Sequence, residues 1–239
     1  MPQEHIIKSY DEELQRLDKA IIRMGGLAES QLAAAMEAVI QRDSELAAEV
    51  VEADAEVDQL ERDVDGHAVR MLALRQPMAR DLREILSALK IAADLERICD
   101  YAANVAKRAI ALNVLPPVKP VFALPRMSRF AQALIKDVLD SFVARDADKA
   151  LAAWARDEEL DEMYSGLFRE LLTYMMEDPR NITPCTHLLF MAKNIERIGD
   201  HATNIAETVW FLVHGTPLNQ VRPKSDLSST AVVRPGEST

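Results

Sequence analysis

Cysteine is nearly absent: Cys99 and Cys185 are the only 2 in 239 residues, and each sits in a stretch with helical apolar spacing. Two isolated thiols of that kind pack as small apolar side chains rather than build a disulfide framework, which points to a reducing compartment. Glycine numbers only 7 and aromatic residues 5%, while Ala, Leu, Glu, Asp and Arg abound, a composition that favours helices over sheets. Basic residues are the minority charge, 28 against 39 acidic. The resulting net charge of −11 argues against a nucleic-acid binder and against electrostatic docking on anionic membranes. No apolar run reaches the roughly 18 residues of a membrane span, and the polar N-terminus carries no signal-peptide pattern. A cytoplasmic protein with no direct membrane insertion is expected. Catalytic signatures are missing as well: there is no Gly-rich phosphate loop, no Cys-x-x-Cys and no Gly-x-Ser-x-Gly. No nucleophile stands with a base, so the chain is not expected to be an enzyme.

What is present occurs twice. Leu89 to Lys107 reads LKIAADLERICDYAANVAK, and Leu189 to Glu207 reads LFMAKNIERIGDHATNIAE. Glu96, Arg97, Ile98, Asp100 and Asn104 recur 100 positions later as Glu196, Arg197, Ile198, Asp200 and Asn204. Apolar residues three and four apart, without proline, predict a helix for each copy. On such a helix Glu96 and Asp100 lie within roughly 40° of each other. They fall in line with Leu82, Ile85, Leu89, Ala92, Ala103 and Ile110; Glu196 and Asp200 fall in line with Leu189, Ala192, Thr203 and Trp210. Two carboxylates one turn apart repel, and on an apolar face they need neutralising. Two readings stand: Arg97 and Arg197 neutralise them within each helix, or the carboxylates of both repeats form inward acidic pockets.

The rest of the chain repeats too. Apolar spacing from Asp11 to Gln41, after a short lead-in, predicts a first helix. Gly25-Gly26 within it points to a close helix crossing, in preference to a bend. Asp43 or Ser44 can cap a second helix through about Leu74, and a third runs from about Met78 to Leu112. Asn113 to Val121 holds 3 prolines and reads as a semi-rigid linker. The pattern then restarts. Arg145-Asp146 matches Arg42-Asp43, and Asp157 and Asp161 match Asp54 and Asp58, all offset by 103. The expected fold is all-α, a tandem repeat of two three-helix bundles with six long helices. The expected boundaries are 1–113 for the first bundle, 114–121 for the linker, 122–214 for the second bundle and 215–239 for a disordered polar tail.

The second helix of each half carries an acidic row of its own. Asp54, Asp58, Glu61 and Asp65 fall within roughly 60° of one another, beside Val51, Val69 and Leu72. Their counterparts are Asp157 and Asp161, with Tyr164 and Phe168 replacing Glu61 and Asp65. An Asp row facing a Glu-x-x-x-Asp row gathers four or more carboxylates, a donor set suited to Mg, Mn, Ca or iron. Di-iron oxidases of the four-helix type use Glu-x-x-His, and neither Glu96 nor Glu196 has His three residues on. His67, His187 and His201 read as boundary or polar-face residues.

The doubled LERICDYAANV and IERIGDHATNI, with MGGLAESQL, RQPMARDLR and LLTYMMEDPR, resemble the bacterial PhoU family. The resemblance extends over nearly the whole chain to about Gly215 and implies a cytoplasmic homodimer. It also implies a negative regulator of the phosphate-starvation response, an adaptor between the phosphate ABC transporter's ATPase subunit and a sensor histidine kinase. Some members bind multinuclear metal through Glu/Asp-x-x-x-Asp motifs, which makes Glu96, Asp100, Glu196 and Asp200 the implied metal ligands, with Asp58 and Asp161 as secondary candidates. The implied metal is divalent or multinuclear Fe, Mn, Mg or Zn. Cys99 stands where the family usually has glycine, which Gly199 keeps. The rival reading is a carboxylate-bundle metal-binding or metal-storage protein without an adaptor role; a third is a structural bundle whose acidic rows are salt-bridged internally.

Overall fold

A computed structural model describes residues 2–75, 78–118 and 123–220. Those residues form seven α-helices: α1 (Pro2–Gln41), α2 (Ser44–Arg75), α3 (Ala79–Asn113), α4 (Leu124–Ala144), α5 (Ala147–Ala155), α6 (Asp157–Glu177) and α7 (Ile182–His214). A 3-10 turn, Pro179–Asn181, leads into α7. The expected tail falls mostly outside the described residues, as does part of the expected linker.

Helix α1 begins well before Asp11, the expected start. Proline at its first position needs no N–H partner there, and no residue from Gln3 to Tyr10 interrupts a helix. Its buried stripe is Leu17, Ile21, Met24, Ala28, Leu32, Ala35 and Val39, a run of three- and four-residue steps that puts all seven on one face. Gly25 lies where α1 crosses α4, and an added Cβ would run into the Leu139 side chain. Gly26 has open space beside it, so only one of the pair serves the crossing.

Helices α1 and α4 end with the same device. Arg42 and Arg145, equivalent positions, adopt left-handed φ values of 57° and 53°. The following aspartate then starts the next helix: Asp43 Oδ1 accepts from Glu45 N at 2.9 Å and Leu46 N at 3.0 Å, and Asp146 Oδ1 accepts from Lys149 N at 2.9 Å. Each cap satisfies N–H groups that a helix start leaves open.

The repeats differ at their second helix. In the first half α2 is continuous, but in the second the equivalent helix is divided at Arg156 into α5 and α6. There the backbone N–H turns back to Ala153 O at 3.1 Å, a tightened turn, and the guanidinium is held by Asp137 of α4 at 2.7 Å. The division gives α6 its own N-terminus, occupied by Asp157, Glu158 and Glu159, where carboxylates meet the positive end of the helix dipole.

One hydrophobic core runs through both halves. Helices α3 and α7 form its most extensive seam. They run antiparallel: Lys90 of early α3 lies over the Phe211 ring at 5.6 Å, and Arg108 of late α3 lies over the Phe190 ring at 4.2 Å. Helices α1 and α4 are antiparallel as well: Arg145, just after α4, reaches Asp18 at 2.8 Å, while Leu139, earlier in α4, lies against Gly25, later in α1. The two repeats thus meet face to face about an approximate twofold axis.

Candidate functional site

The carboxylates of α2 and α3 do face one another. Asp54 is pushed above the usual carboxylate range by burial and then by Asp100 and Asp58, with Lys107 pulling the other way. Glu96 is pushed up by burial, then by Asp100, Asp58 and Glu61, against Arg97. Cys99 stands among them: burial, then Asp54, Glu96, Asp100 and Asp58, drive its thiol far up, so it is no thiolate ligand. Arg97 binds Asp100 Oδ2 at 3.0 Å and approaches Glu96 Oε2 at 3.7 Å, so in this repeat the internal salt bridge exists. Asp58 lies 4.0 Å from Arg62. Leu82 and Ile110, expected on the same buried line, are over one-third exposed, and Val69 of α2 is 62% exposed. The first acidic group therefore sits at the edge of the core, and Asp65 is exposed beyond it.

The second repeat carries its carboxylates deeper. Asp157 and Asp161 are each 2% exposed and Glu196 4%. Gly199 explains the depth: a Cβ there would stand 2.5 Å from Leu160 Cδ2 and 3.0 Å from Asp157 Oδ1, so its absence lets α6 close onto α7. At the equivalent position Cys99 is also fully buried. Glu196 is pushed up to about 7, by burial first and by Asp200 and Asp161, while Lys193 lowers it. Lys193 Nζ binds Glu196 Oε1 at 2.9 Å and lies 4.9 Å from the centre of the Tyr164 ring. Glu196 Oε2 is buried without a hydrogen-bond partner.

Arg197, the neutralising cation in one of the two readings, lies over the Tyr101 ring of the other repeat at 5.7 Å. Lys193 is the cation that sequence reasoning passed over. Its counterpart 100 residues earlier is Ala93, and Tyr164 stands where the first repeat has Glu61. The second repeat thus has one acid fewer and one ammonium more at these two positions, a paired difference visible on aligning the repeats. Glu207, at the end of the second copy, accepts from Trp154 Nε1 at 2.9 Å.

The histidines are accounted for as well. His67 Nε2 lies 3.2 Å from Glu13 O. His187 is pulled below its ordinary value by burial and then by Arg108. His201 Nδ1 meets Asp94 Oδ1 at 2.8 Å across the α3–α7 seam, and Asn204 Nδ2 donates to the same oxygen at 3.2 Å.

For a metal, the donor chemistry fits a hard cation in the second repeat, where Asp157, Asp161, Glu196 and Asp200 offer only oxygens and one Glu196 oxygen is open. Among the described residues, however, no three His, Cys, Asp or Glu side chains are drawn together as a ready ligand set.

The fold and these acidic seams define a class: a tandem-duplicated helical bundle, its repeats packed about a twofold axis, with carboxylates between the second and third helices of each half. The PhoU domain model matches residues 21–109 and 124–209. A "Phosphate-specific transport system accessory protein PhoU homolog" of Xylella fastidiosa is 54% identical over 94% of this chain and 95% of that protein. The protein of the same name from Caulobacter vibrioides is 51% identical over 95% of this chain and 99% of its own length. The crystal structure of PhoU from Pseudomonas aeruginosa superposes with a TM-score of 0.83 at 43% identity, over 87% of this chain and 100% of that one. The chain belongs to the PhoU family. None of the helices among the described residues is long and apolar enough to cross a membrane.

Proposed function

We propose that this chain is an accessory regulator of a phosphate-specific transport system. It restrains the phosphate-starvation response as a cytoplasmic homodimer, an adaptor between the transporter's ATPase subunit and a sensor histidine kinase, and catalyses no reaction itself. The observation that carries this reading is half-identity along nearly the full length of relatives bearing that accessory name. Affinity capture from phosphate-replete cells tests it: the ATPase and a histidine kinase are expected among the recovered proteins, and recovery of neither overturns it. In the deletion strain, phosphate-scavenging genes are expected to stay on when phosphate is plentiful.

A second reading, metal binding, is favoured by the open Glu196 oxygen. Glu196 and Asp200, with Asp161, would hold a hard divalent cation in competition with Lys193. Glu96 and Asp100, with Asp58, would hold one only after Arg97 releases Asp100. The test is a pair of melts with EDTA and with Mn²⁺. Mn²⁺ is expected to raise the melting temperature of the native chain but not that of the Glu196→Gln, Asp200→Asn double variant; equal shifts in both discard this site.

A further inference from the structure

The two repeats treat equivalent arginines differently. Arg42 closes the C-terminus of α3: its Nη2 donates to Asn113 O and Leu115 O at 2.6 Å each. By the repeat, Arg145 should close the C-terminus of α7 in the same way. It does not. Its Nη2 instead donates to both Asp18 oxygens, at 3.0 and 2.8 Å, and its Nη1 to Phe142 O at 2.8 Å.

The space this opens at the end of α7 is a cleft of about 320 Å³ lined by Arg80, Arg83, Glu84, Arg145, Leu212 and Val213. Arg83 comes across from α3 and lays its guanidinium against Gly215, where any side chain would collide with it. Glycine there also suits the left-handed φ of 75°. Glu84 holds Arg80 at 3.2 Å and Asp18 holds Arg145, but Arg83 has no carboxylate partner among the described residues. Its Nε is buried and donates to nothing.

A buried guanidinium donor without an acceptor is costly, and structures normally supply one. Three arginines converging on one cleft of a chain with net charge −11 is a local reversal of sign. The guanidinium fork matches the paired oxygens of phosphate, and the leucine and valine wall lowers the dielectric around the charge. Asp81 and Glu84, the nearest acids of α3, also act on the Tyr10 phenol of α1, and Asp81 does not line the cleft.

We propose that this cleft, where the start of α3 meets the ends of α4 and α7, is a binding site for a phosphate-class oxyanion: inorganic phosphate or the phosphate group of a small ester. Arg83 is the anchor, Arg80 the exposed second arm, and Arg145 a fixed charge set in place by Asp18. The inference does not depend on the transporter reading, because it is tested on purified protein without partners.

The test is isothermal titration of the full chain at constant ionic strength with inorganic phosphate, a nucleoside monophosphate and acetate. Phosphate is expected to bind, with affinity reduced at least tenfold by Arg83→Gln and severalfold by Arg80→Gln, and unchanged by Arg62→Gln on α2. Competition between phosphate and the monophosphate would show that the free anion is read, whereas binding of the monophosphate alone would assign the site to an ester. Absence of binding, acetate binding equal to phosphate, or full affinity in Arg83→Gln would overturn the proposal. Should Arg83→Gln fail to fold, Arg80→Gln decides, since Arg80 is 80% exposed and carries no packing role; unchanged affinity there overturns the site.

Discussion

Tyr101 and His201 occupy the same position in the two repeats, and they touch, ring centre to ring centre at 5.6 Å. Equivalent residues meet only on a symmetry axis, so this contact locates the approximate twofold that relates the halves. The chemistry on the axis is unequal: His201 reaches Asp94, whose own counterpart is Asn194. The asymmetry gives the seam a directional hydrogen bond that two identical halves would lack.

Asp94→Leu strands both His201 and Asn204. Urea unfolding is expected to show a loss of about 1–3 kcal/mol, with Asp94 only 16% exposed. A double-mutant cycle with His201→Phe should return a coupling of at least about 0.5 kcal/mol; strict additivity would mean that the pair does not hold the seam.

Glu196 sets a pH dependence whose sign is opposite to that of a salt-bridged carboxylate. Its folded value, about 7, lies above the unfolded value near 4.5. Between the two, the folded chain binds the extra proton, so this group contributes stability as pH falls through 7 and withdraws it as pH rises. The native protein should therefore melt higher at pH 5.5 than at pH 8 through this site. Glu196→Gln, which keeps an acceptor for Lys193, should flatten that difference and gain about 1–3 kcal/mol at pH 8. An unchanged pH slope in the variant would contradict it.

Gly199 and Cys99 should not be interchangeable. Gly199→Cys forces Leu160 and Asp157 away and is expected to cost about 1–3 kcal/mol by overpacking. Cys99→Gly vacates buried volume and adds a helix glycine, costing about 1–2 kcal/mol by a different route. Calorimetry of both variants checks this; a neutral Gly199→Cys would show that α6 can stand off from α7.

Arg42→Ala should be the more damaging of the two equivalent arginine replacements. It leaves the carbonyls at the end of α3 uncapped and is expected to cost about 1–2 kcal/mol. Arg145→Ala removes a pair whose side chains are 30% and 41% exposed, for less than about 1 kcal/mol. The reverse order in chemical denaturation would mean that Arg145, not Arg42, is the structural one.

Read alone, the sequence determined the elements and their duplication, because helical periodicity and an offset near 100 residues are local signals that survive without a partner. It also identified the carboxylates, since acids at apolar helical spacing stand out wherever they are. Tertiary structure decided how deep each acid lies. That depth turns on how closely a second helix approaches, and Gly199 against Cys99 is one atom pair in that approach. It decided which cation neutralises which acid, for Lys193 and Arg197 lie four residues apart, and only the packing turns the first inward and the second across the seam. It decided the break at Arg156, where the pull comes from Asp137 on another helix. And it placed Arg83 against the end of α7, a meeting between residues over a hundred positions apart that no periodicity encodes.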